Sequence, residues 1–153
     1  MEIYLAGPCD SENRSLMISA AKLLRERKIF NVYCPWELKI ENAWDISQEE
    51  WAKKVFDNDI KAIDNCDIVI MISLGRESTA GTNWECGYAF ANKKKLIVIQ
   101  ITDKPTSLMT FCGCTYFINS SVNNLRNDLL HIIIKILNND DFKNNSNCRT
   151  VLT

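Results

Sequence analysis

The feature that most constrains the fold is an uninterrupted apolar stretch, residues 68–72, which leads into a loop of small and hydroxyl-bearing residues. Residues 82–92 follow this loop and are predicted to form a short, largely apolar helix. A strand that is apolar at every position is typical of a parallel sheet covered on both faces. A strand, a small-residue loop and a helix in succession therefore predict an α/β fold, in which ligands bind at such junctions.

Strand and helix patterns alternate along the rest of the chain. Strands are predicted at 3–6, 30–34, 67–72, 96–101 and 115–119, and helices at 10–28, 47–65, 82–92 and from Ser120 or Ser121 onward. This alternation predicts a single three-layer, flavodoxin-like or Rossmann-like domain over residues 1–137, with five parallel strands in the order 2-1-3-4-5. The Asn-rich residues 138–153 are predicted to form a flexible tail.

Two helices have distinctive apolar faces. The helix that follows the Ser47 capping box is predicted to direct four side chains inward. They are Trp51, Val55, Ala62 and Ile63. The last helix carries apolar residues at helical spacing, beginning with Val122 and Leu125.

Charge and composition exclude several classes of function. The formal net charge is -1 and the isoelectric point is about 5.9, so no basic field favours binding to nucleic acid or to an anionic membrane. No apolar run approaches the roughly 18 residues of a membrane span, and the first residues are predicted to form a strand and not a secretory signal. Seven cysteines without an export signal indicate reduced thiols and a cytoplasmic location. Cys112 and Cys114 lack a second ligand pair, so neither a metal site nor a cofactor is predicted.

The predicted topology brings three loops to one edge of the sheet. These loops follow the first, third and fourth strands and comprise residues 7–14, 75–85 and 102–109. Because the carboxyl ends of parallel strands lie at the same edge, we expect the three loops to surround one cleft.

Glu85, at the start of the predicted 82–92 helix, has two interpretations. It is either a first-turn acid that interacts with the helix dipole or a carboxylate with a chemical role. Its neighbours in the sequence are apolar or small, and Gly81 and Gly87 leave room for a ligand near the backbone. A carboxylate held in a cleft is a suitable covalent nucleophile for an electrophilic sugar carbon.

Asp59 also has two interpretations. It lies four residues after Val55 and therefore near the buried edge of its helix, where burial would raise its pKa and suit it to donate a proton. Alternatively, it is a surface acid that pairs with Lys53 or Lys61.

Other candidates have equally plain structural explanations. Tyr4 is either a site residue or a core ring whose hydroxyl finds a partner. Arg14 either binds an anion or lies on a solvated face. Ser78 and Thr79 either bind a ligand or bond their own loop. The small-residue loop matches neither a P-loop nor a dinucleotide fingerprint.

Three segments resemble the nucleoside 2-deoxyribosyltransferase family. The first two are residues 3–8 (Ile-Tyr-Leu-Ala-Gly-Pro) and Asp59, eight residues ahead of Asp67. The third, and the most specific, is residues 81–89 (Gly-Thr-Asn-Trp-Glu-Cys-Gly-Tyr-Ala). The resemblance covers most of residues 1–137, and the segment 104–109 also resembles one that a neighbouring subunit contributes to the site in this family.

The resemblance implies a role for each matching residue. Glu85 corresponds to the nucleophile that attacks the anomeric carbon of a 2′-deoxynucleoside, and Tyr4 to the tyrosine that orients it. Asp59 corresponds to the acid that contacts the nucleobase and assists its departure. Ser107 and Met109 correspond to residues that complete the site of the neighbouring subunit, which implies a homodimer or a higher oligomer. Gly7, Arg14, Ser78, Thr79 and Gly81 complete the predicted substrate-binding set.

One departure from the family pattern leaves the reaction open. Thr79 stands where the transferases usually carry a second base-reading aspartate. A hydroxyl at this position, and a serine at the position of Ser107, resemble the related deoxynucleoside 5′-monophosphate N-hydrolases. Arg14 lies near the phosphate-binding arginines of that branch, whereas Asp10 and Glu12 would repel a phosphate. The sequence is compatible with both transfer and hydrolysis.

The predicted function is cleavage of the N-glycosidic bond of a 2′-deoxynucleoside through a deoxyribosyl-Glu85 intermediate, with transfer of the sugar to another nucleobase. The alternative is hydrolysis of deoxynucleoside 5′-monophosphates. A non-catalytic nucleotide-binding protein and an NAD-cleaving relative are further alternatives. Trp36, Trp84 and Phe111 are candidates for stacking on the base, with core packing as the other explanation for each.

Overall fold

Five parallel strands form the centre of the molecule in a computed structural model that describes residues 1–139. The strands are β1 (Glu2–Ala6), β2 (Asn31–Tyr33), β3 (Ile68–Ser73), β4 (Lys95–Gln100) and β5 (Tyr116–Asn119). Their spatial order is β2-β1-β3-β4-β5, and every neighbouring pair is parallel. The predicted fold class and strand order are therefore confirmed.

Helices cover both faces of the sheet. They are α1 (Arg14–Arg25), α2 (Gln48–Asn65), α3 (Ala80–Ala91), α4 (Leu108–Gly113) and α5 (Leu125–Leu137). One apolar core joins alternate strand residues to α1 and α5, and the other joins the intervening strand residues to α2 and α3. All six residues of β3 are buried, as expected for a central strand covered on both faces.

The start of α3 differs from the prediction in a way that affects the site. The helix begins at Ala80, two residues earlier than predicted, because the Thr79 side chain accepts a hydrogen bond from the Thr82 backbone N–H. Glu85 consequently lies in the second turn, and the first turn contains no acid. The interpretation of Glu85 as a first-turn dipole acid is therefore wrong, since that effect decays within one turn.

The predicted N-cap of α2 at Ser47 is confirmed, but one of the predicted inward residues of this helix is not. The Ser47 hydroxyl accepts a hydrogen bond from the Glu50 N–H at 3.1 Å, and the helix ends at Asn65 as predicted. Ile63 is buried, whereas Trp51 is 43% exposed and does not belong to the core. Trp51 instead borders a cavity described below.

Other boundaries shift where turns come before helices. The Asp10 carboxylate accepts a hydrogen bond from the Asn13 N–H, so a turn precedes α1, which starts at Arg14. Val122 lies ahead of α5 and is 58% exposed, contrary to its predicted place on the apolar face. The short α4 was not predicted.

The predicted tail lies outside the described residues from residue 140 onward. Within residues 1–139, the structure contains no helix that is both long and apolar enough to cross a bilayer.

Candidate active site

A cavity of about 540 Å³ opens beside the carboxyl ends of β1 and β2. Its walls come from the segments that follow these two strands and from the facing sides of α2 and α3. The residues that line it are Cys9, Arg14, Pro35, Trp36, Leu38, Ile40, Ala43, Trp51, Val55, Asp59 and Glu85. Two of the predicted catalytic residues, Asp59 and Glu85, therefore share one cavity.

The two carboxyl groups influence each other's ionisation. Burial raises the pKa of Glu85 to about 7, the negative charge of Asp59 adds to this effect, and the Tyr4 hydroxyl opposes it. Burial also raises the pKa of Asp59. Two neighbouring carboxyl groups with raised pKa values tend to hold a proton between them. The cavity therefore contains one group suited to give a proton and one suited to act as an anion.

Asp59 takes a tyrosine, and not a lysine, as its partner. The Tyr33 hydroxyl donates a hydrogen bond to Asp59 Oδ1 at 2.7 Å, and this bond lowers the pKa of Asp59 against the larger effect of burial. Lys53 pairs with Asp57 at 2.8 Å, and no ion pair within residues 1–139 involves Asp59. The interpretation of Asp59 as a surface acid paired with lysine is therefore wrong.

Tyr4 is fully buried beneath the cavity. Its ring stacks on that of Tyr33, with centroids 5.4 Å apart. Burial, together with the charges of Glu85 and Asp59, raises the pKa of Tyr4 far above its usual range, so its hydroxyl stays protonated. That hydroxyl interacts with Glu85 but forms no hydrogen bond of good geometry with any group in residues 1–139. A buried donor beside a carboxylate is a group suited to orient it.

A short chain of hydrogen bonds joins the end of β1 to the start of α3. The Thr82 hydroxyl donates to the Gly7 carbonyl at 2.7 Å and lies 2.8 Å from the Thr79 hydroxyl. The Ser78 hydroxyl accepts from the Leu74 N–H at 2.9 Å. Thr79 and Ser78 therefore bond their own loop, and neither lines the cavity. Their visible role is to hold α3, and with it Glu85, against β1.

The two predicted glycine positions differ in their surroundings. A Cβ at Gly7 would lie 2.5 Å from the Met17 side chain, so the close packing of α1 against β1 explains this glycine. A Cβ at Gly81 would meet nothing within 4 Å, and Gly81 lies outside the lining of the cavity.

Arg14 is the arginine whose side chain lines the cavity. Its guanidinium lies 5.5 Å from the centroid of the Trp36 ring, within the range of a cation–π contact. Trp36 is held in turn by a hydrogen bond from its indole N–H to the Pro8 carbonyl at 2.9 Å. In the part of the chain that the structure describes, Arg14 forms no ion pair with an acid. Its charge is therefore available to an anionic group in the cavity.

Ser107 and Met109 do not reach this cavity. They line a second cavity of about 260 Å³ on another side of α3, together with Asn83, Gly87 and Phe90 among others. The prediction that residues 102–109 surround the same cleft as Glu85 is therefore wrong for a single chain. Met109 is 83% exposed.

Residues 104 and 105 support the loop that follows β3. The Pro105 carbonyl accepts a hydrogen bond from the Arg76 N–H at 2.9 Å. Gly75, with φ of +62°, approaches the same carbonyl so closely that a Cβ would lie 2.8 Å from it.

Several residues that line the cavity were not predicted from the sequence. Residues 36–46 have no helical or strand periodicity, so the side chains of Leu38, Ile40 and Ala43 could not be assigned to a wall. Tyr33 could have been identified, because the predicted strand order makes β2 the neighbour of β1 and thus places a second tyrosine near Tyr4. Of the stacking candidates, only Trp36 lines the cavity. Trp84 instead stacks on Tyr88, and Phe111 packs against Phe117.

No group of three or more His, Cys, Asp or Glu side chains within residues 1–139 is arranged to hold a metal ion. Cys112 is exposed and Cys114 is buried.

Comparison with known families matches residues 3–145 to the model of the nucleoside 2-deoxyribosyltransferase family. The chain belongs to this family. The resemblance recognised in the sequence is confirmed, since the match covers nearly all of the chain. No curated protein matches the sequence at a significant level.

Solved structures agree with the family assignment. A 2-deoxyribosyltransferase from Bacillus psychrosaccharolyticus is 26% identical, with a TM-score of 0.66 over 83% of this chain and 91% of that one. A CMP N-glycosidase from Clostridium botulinum is 21% identical, with a TM-score of 0.55 over 86% and 99%. A conserved protein from Enterococcus faecalis is 15% identical, with a TM-score of 0.62 over 86% and 98%. The last two establish similarity of fold alone.

Proposed function

We propose that this protein cleaves the N-glycosidic bond of 2′-deoxynucleosides and transfers the deoxyribosyl group to a second nucleobase. The observation that carries the proposal is the presence of Glu85 and Asp59 in one cavity, each beside a tyrosine hydroxyl. Membership of the family and 26% identity to a 2-deoxyribosyltransferase support the same reaction.

In the proposed first step, ionised Glu85 attacks the anomeric carbon as the bond to the base breaks. Protonated Asp59 gives its proton to the departing base, directly or through a water molecule. The transition state has oxocarbenium character, as in retaining glycosidases, and a deoxyribosyl ester of Glu85 results. A 2′-hydroxyl would withdraw electrons from this cationic centre, which is why a 2′-deoxy sugar is the proposed substrate.

In the free site the raised pKa values favour the proton on Glu85, because the charge of Asp59 adds there to the effect of burial. With one proton held between the carboxyl groups, the reaction requires that proton on Asp59 and the negative charge on Glu85. The positive charge that develops at the anomeric carbon, and the Tyr4 hydroxyl donor, both favour the anion at Glu85. In the second step a new base occupies the vacated space, attacks the ester, and returns its proton to Asp59.

Incubation with deoxyinosine and adenine tests this proposal, with free hypoxanthine and deoxyadenosine followed by chromatography. Base exchange is expected from the wild-type protein, and Glu85→Gln should reduce the rate at least about 10³-fold, as removal of a nucleophile does. Glu77→Gln is the control, because Glu77 lies in the preceding loop and pairs with Lys104. Base exchange at the full rate by Glu85→Gln would refute the role of the nucleophile.

A second candidate function is hydrolysis of deoxynucleoside 5′-monophosphates, favoured by Arg14. This cation lines the cavity and forms no ion pair with an acid of residues 1–139. The Asp10 carboxylate, which would oppose a phosphate, is already bound by the Asn13 side chain and N–H. Release of free base from a deoxynucleoside monophosphate alone, without exchange in the first assay, would favour hydrolysis over transfer.

We also propose that the protein forms a homodimer or higher oligomer in which Ser107 and Met109 complete the cavity of a neighbouring subunit. Their position outside the Glu85 cavity of their own chain and the high exposure of Met109 support this arrangement. Mixing Glu85→Gln with a Ser107/Met109 double alanine variant tests it, because mixed oligomers would contain some sites with neither defect. Recovery of activity on mixing is expected.

A further inference from the structure

The side chains of Tyr4 and Tyr33 form a stacked pair beneath the two carboxyl groups. The two residues lie at the same register of β1 and β2, which places their rings on one face of the sheet. Their centroids are 5.4 Å apart and the ring planes differ by 16°. Tyr4 interacts with Glu85, and Tyr33 donates a hydrogen bond to Asp59. One rigid aromatic pair thus supports both acids of the site.

We propose that Tyr33 is a positioning residue that fixes Asp59 through Oδ1, so that Oδ2 serves as the atom that delivers the proton to the departing base. This inference rests on the proposed function. The hydrogen bond to Oδ1 is 2.7 Å long. Within residues 1–139, Oδ2 has no hydrogen bond, while Asp59 itself borders the cavity.

Asp59 needs such support because its helix does not provide it. Its side chain is half-buried, and no ion pair within residues 1–139 involves it. A single hydrogen bond from a ring that is itself stacked and held on a strand restricts both side-chain torsions of Asp59. Positioning of an acid within hydrogen-bond reach of its target is a large part of its catalytic effect.

The other ionisable groups at the cavity do not replace Tyr33. Glu85 faces Asp59 from α3 and Arg14 lies at the start of α1, while Cys9 follows β1. Burial raises the pKa of Cys9 to about 11, so this thiol remains neutral. Tyr4 interacts with Glu85, and within residues 1–139 Asp59 has Tyr33 as its side-chain hydrogen-bond partner.

The proton balance of the step assigns Tyr33 no transfer of its own. The Oδ2–H bond of Asp59 breaks and its proton goes to a nitrogen of the leaving base. The electron pair of the C1′–N bond also goes to the base, while a carboxylate pair of Glu85 forms the new C1′–O bond. Tyr33 keeps its proton throughout and continues to donate to Oδ1, which becomes part of the Asp59 carboxylate.

A control hydrogen bond joins α3 to α2, the helix that carries Asp59. The exposed Tyr88 hydroxyl donates to Asp64 Oδ1 at 2.8 Å, a hydrogen bond of nearly the same length as the part-buried one between Tyr33 and Asp59. This second pair lies outside the cavity lining. Tyr88→Phe therefore removes a tyrosine–aspartate hydrogen bond of similar length without altering the proposed acid.

Steady-state kinetics of base exchange test the proposal. Tyr33→Phe keeps the stacked ring and should lower kcat by about 10- to 100-fold, the effect of losing one hydrogen bond to a carboxylate, with little change in KM. Tyr88→Phe should leave kcat unchanged. In an Asp59→Asn background, Tyr33→Phe should have no additional effect, since the two residues act as one unit. An equal loss of kcat in both backgrounds would overturn the proposal.

A titration separates this inference from the proposed function. Carbon-13 NMR of labelled aspartate should show that Tyr33→Phe raises the pKa of Asp59, because the lost hydrogen bond favours the ionised form. Tyr88→Phe should leave Asp59 unchanged. If the wild-type protein cleaves no deoxynucleoside but Asp59 responds as expected, the proposed function fails and the assignment of the Tyr33 hydrogen bond stands. An unchanged Asp59 titration in Tyr33→Phe would refute the inference.

Discussion

Replacing Glu85 with glutamine should stabilise the folded protein at alkaline pH, although it removes the proposed nucleophile. Burial is the main reason that the pKa of Glu85 rises from 4.5 to about 7. Between these two values the unfolded chain has released a proton that the native state retains, so the free energy of unfolding falls as pH rises. The loss of unfolding free energy is complete above pH 7. At about 1.4 kcal/mol per pKa unit, it amounts to about 3 kcal/mol.

Glutamine has nearly the shape of a protonated glutamate and has no proton to lose. At pH 4.5, Glu85→Gln and the wild-type protein should therefore differ little in free energy of unfolding. At pH 8 the variant should be more stable by up to about 3 kcal/mol, because it avoids the buried negative charge.

Urea unfolding followed by circular dichroism at pH 4.5 and pH 8 measures this difference. Glu77→Gln provides the control, since its side chain is 63% exposed and its replacement should change stability by less than about 1 kcal/mol at either pH. A stability difference between Glu85→Gln and the wild-type protein that is the same at pH 4.5 and pH 8 would mean that the carboxyl group of Glu85 is not desolvated in the native state. Burial would then not raise the pKa of Glu85.

Three further predictions follow from the same geometry. Asp59→Asn should lower the pKa of Glu85, because it removes a neighbouring negative charge. Carbon-13 NMR of labelled glutamate measures this pKa, and an unchanged pKa would show that the charge of Asp59 does not act on Glu85. Arg14→Gln should raise KM for a deoxynucleoside monophosphate while leaving KM for the deoxynucleoside unchanged, and equal effects on both would exclude a phosphate contact. Gly75→Ala should destabilise the fold by about 1–3 kcal/mol, because φ is +62° and the new Cβ would meet the Pro105 carbonyl. Gly87→Ala is the control: a Cβ at this position in α3 meets nothing within 4 Å, so the melting temperature should stay the same or rise. A Gly87→Ala protein less stable than Gly75→Ala would contradict this prediction.

The sequence pattern was sufficient for the architecture because the constraints on it are local and repetitive. The unbroken apolar residues 68–72 required cover on both faces, and the right-handed crossover rule limited the strand order to few possibilities. Helix boundaries were less predictable. Thr79 could have capped a helix or closed a loop, and only its hydrogen bond to the Thr82 N–H decided that α3 begins early.

The candidate site also contains residues that the sequence could identify and positions that it could not. Motif resemblance was enough to single out Glu85, Asp59 and Tyr4, and the structure brings these three together. Resemblance could not show that Ser107 lies at a different cavity of its own chain, since that depends on where α4 packs against α3.

What the sequence by itself determined was the class of fold, the family and the candidate acids of the site. Apolar periodicity and a specific motif are properties of neighbouring residues, so they can be read along the chain. The tertiary structure decided the environment of those acids. Asp59 pairs with Tyr33, which is 26 residues away, and Glu85 shares its cavity with the segments that follow β1 and β2 and with α2. Burial and through-space partners determine pKa values, and both arise only when distant segments pack together.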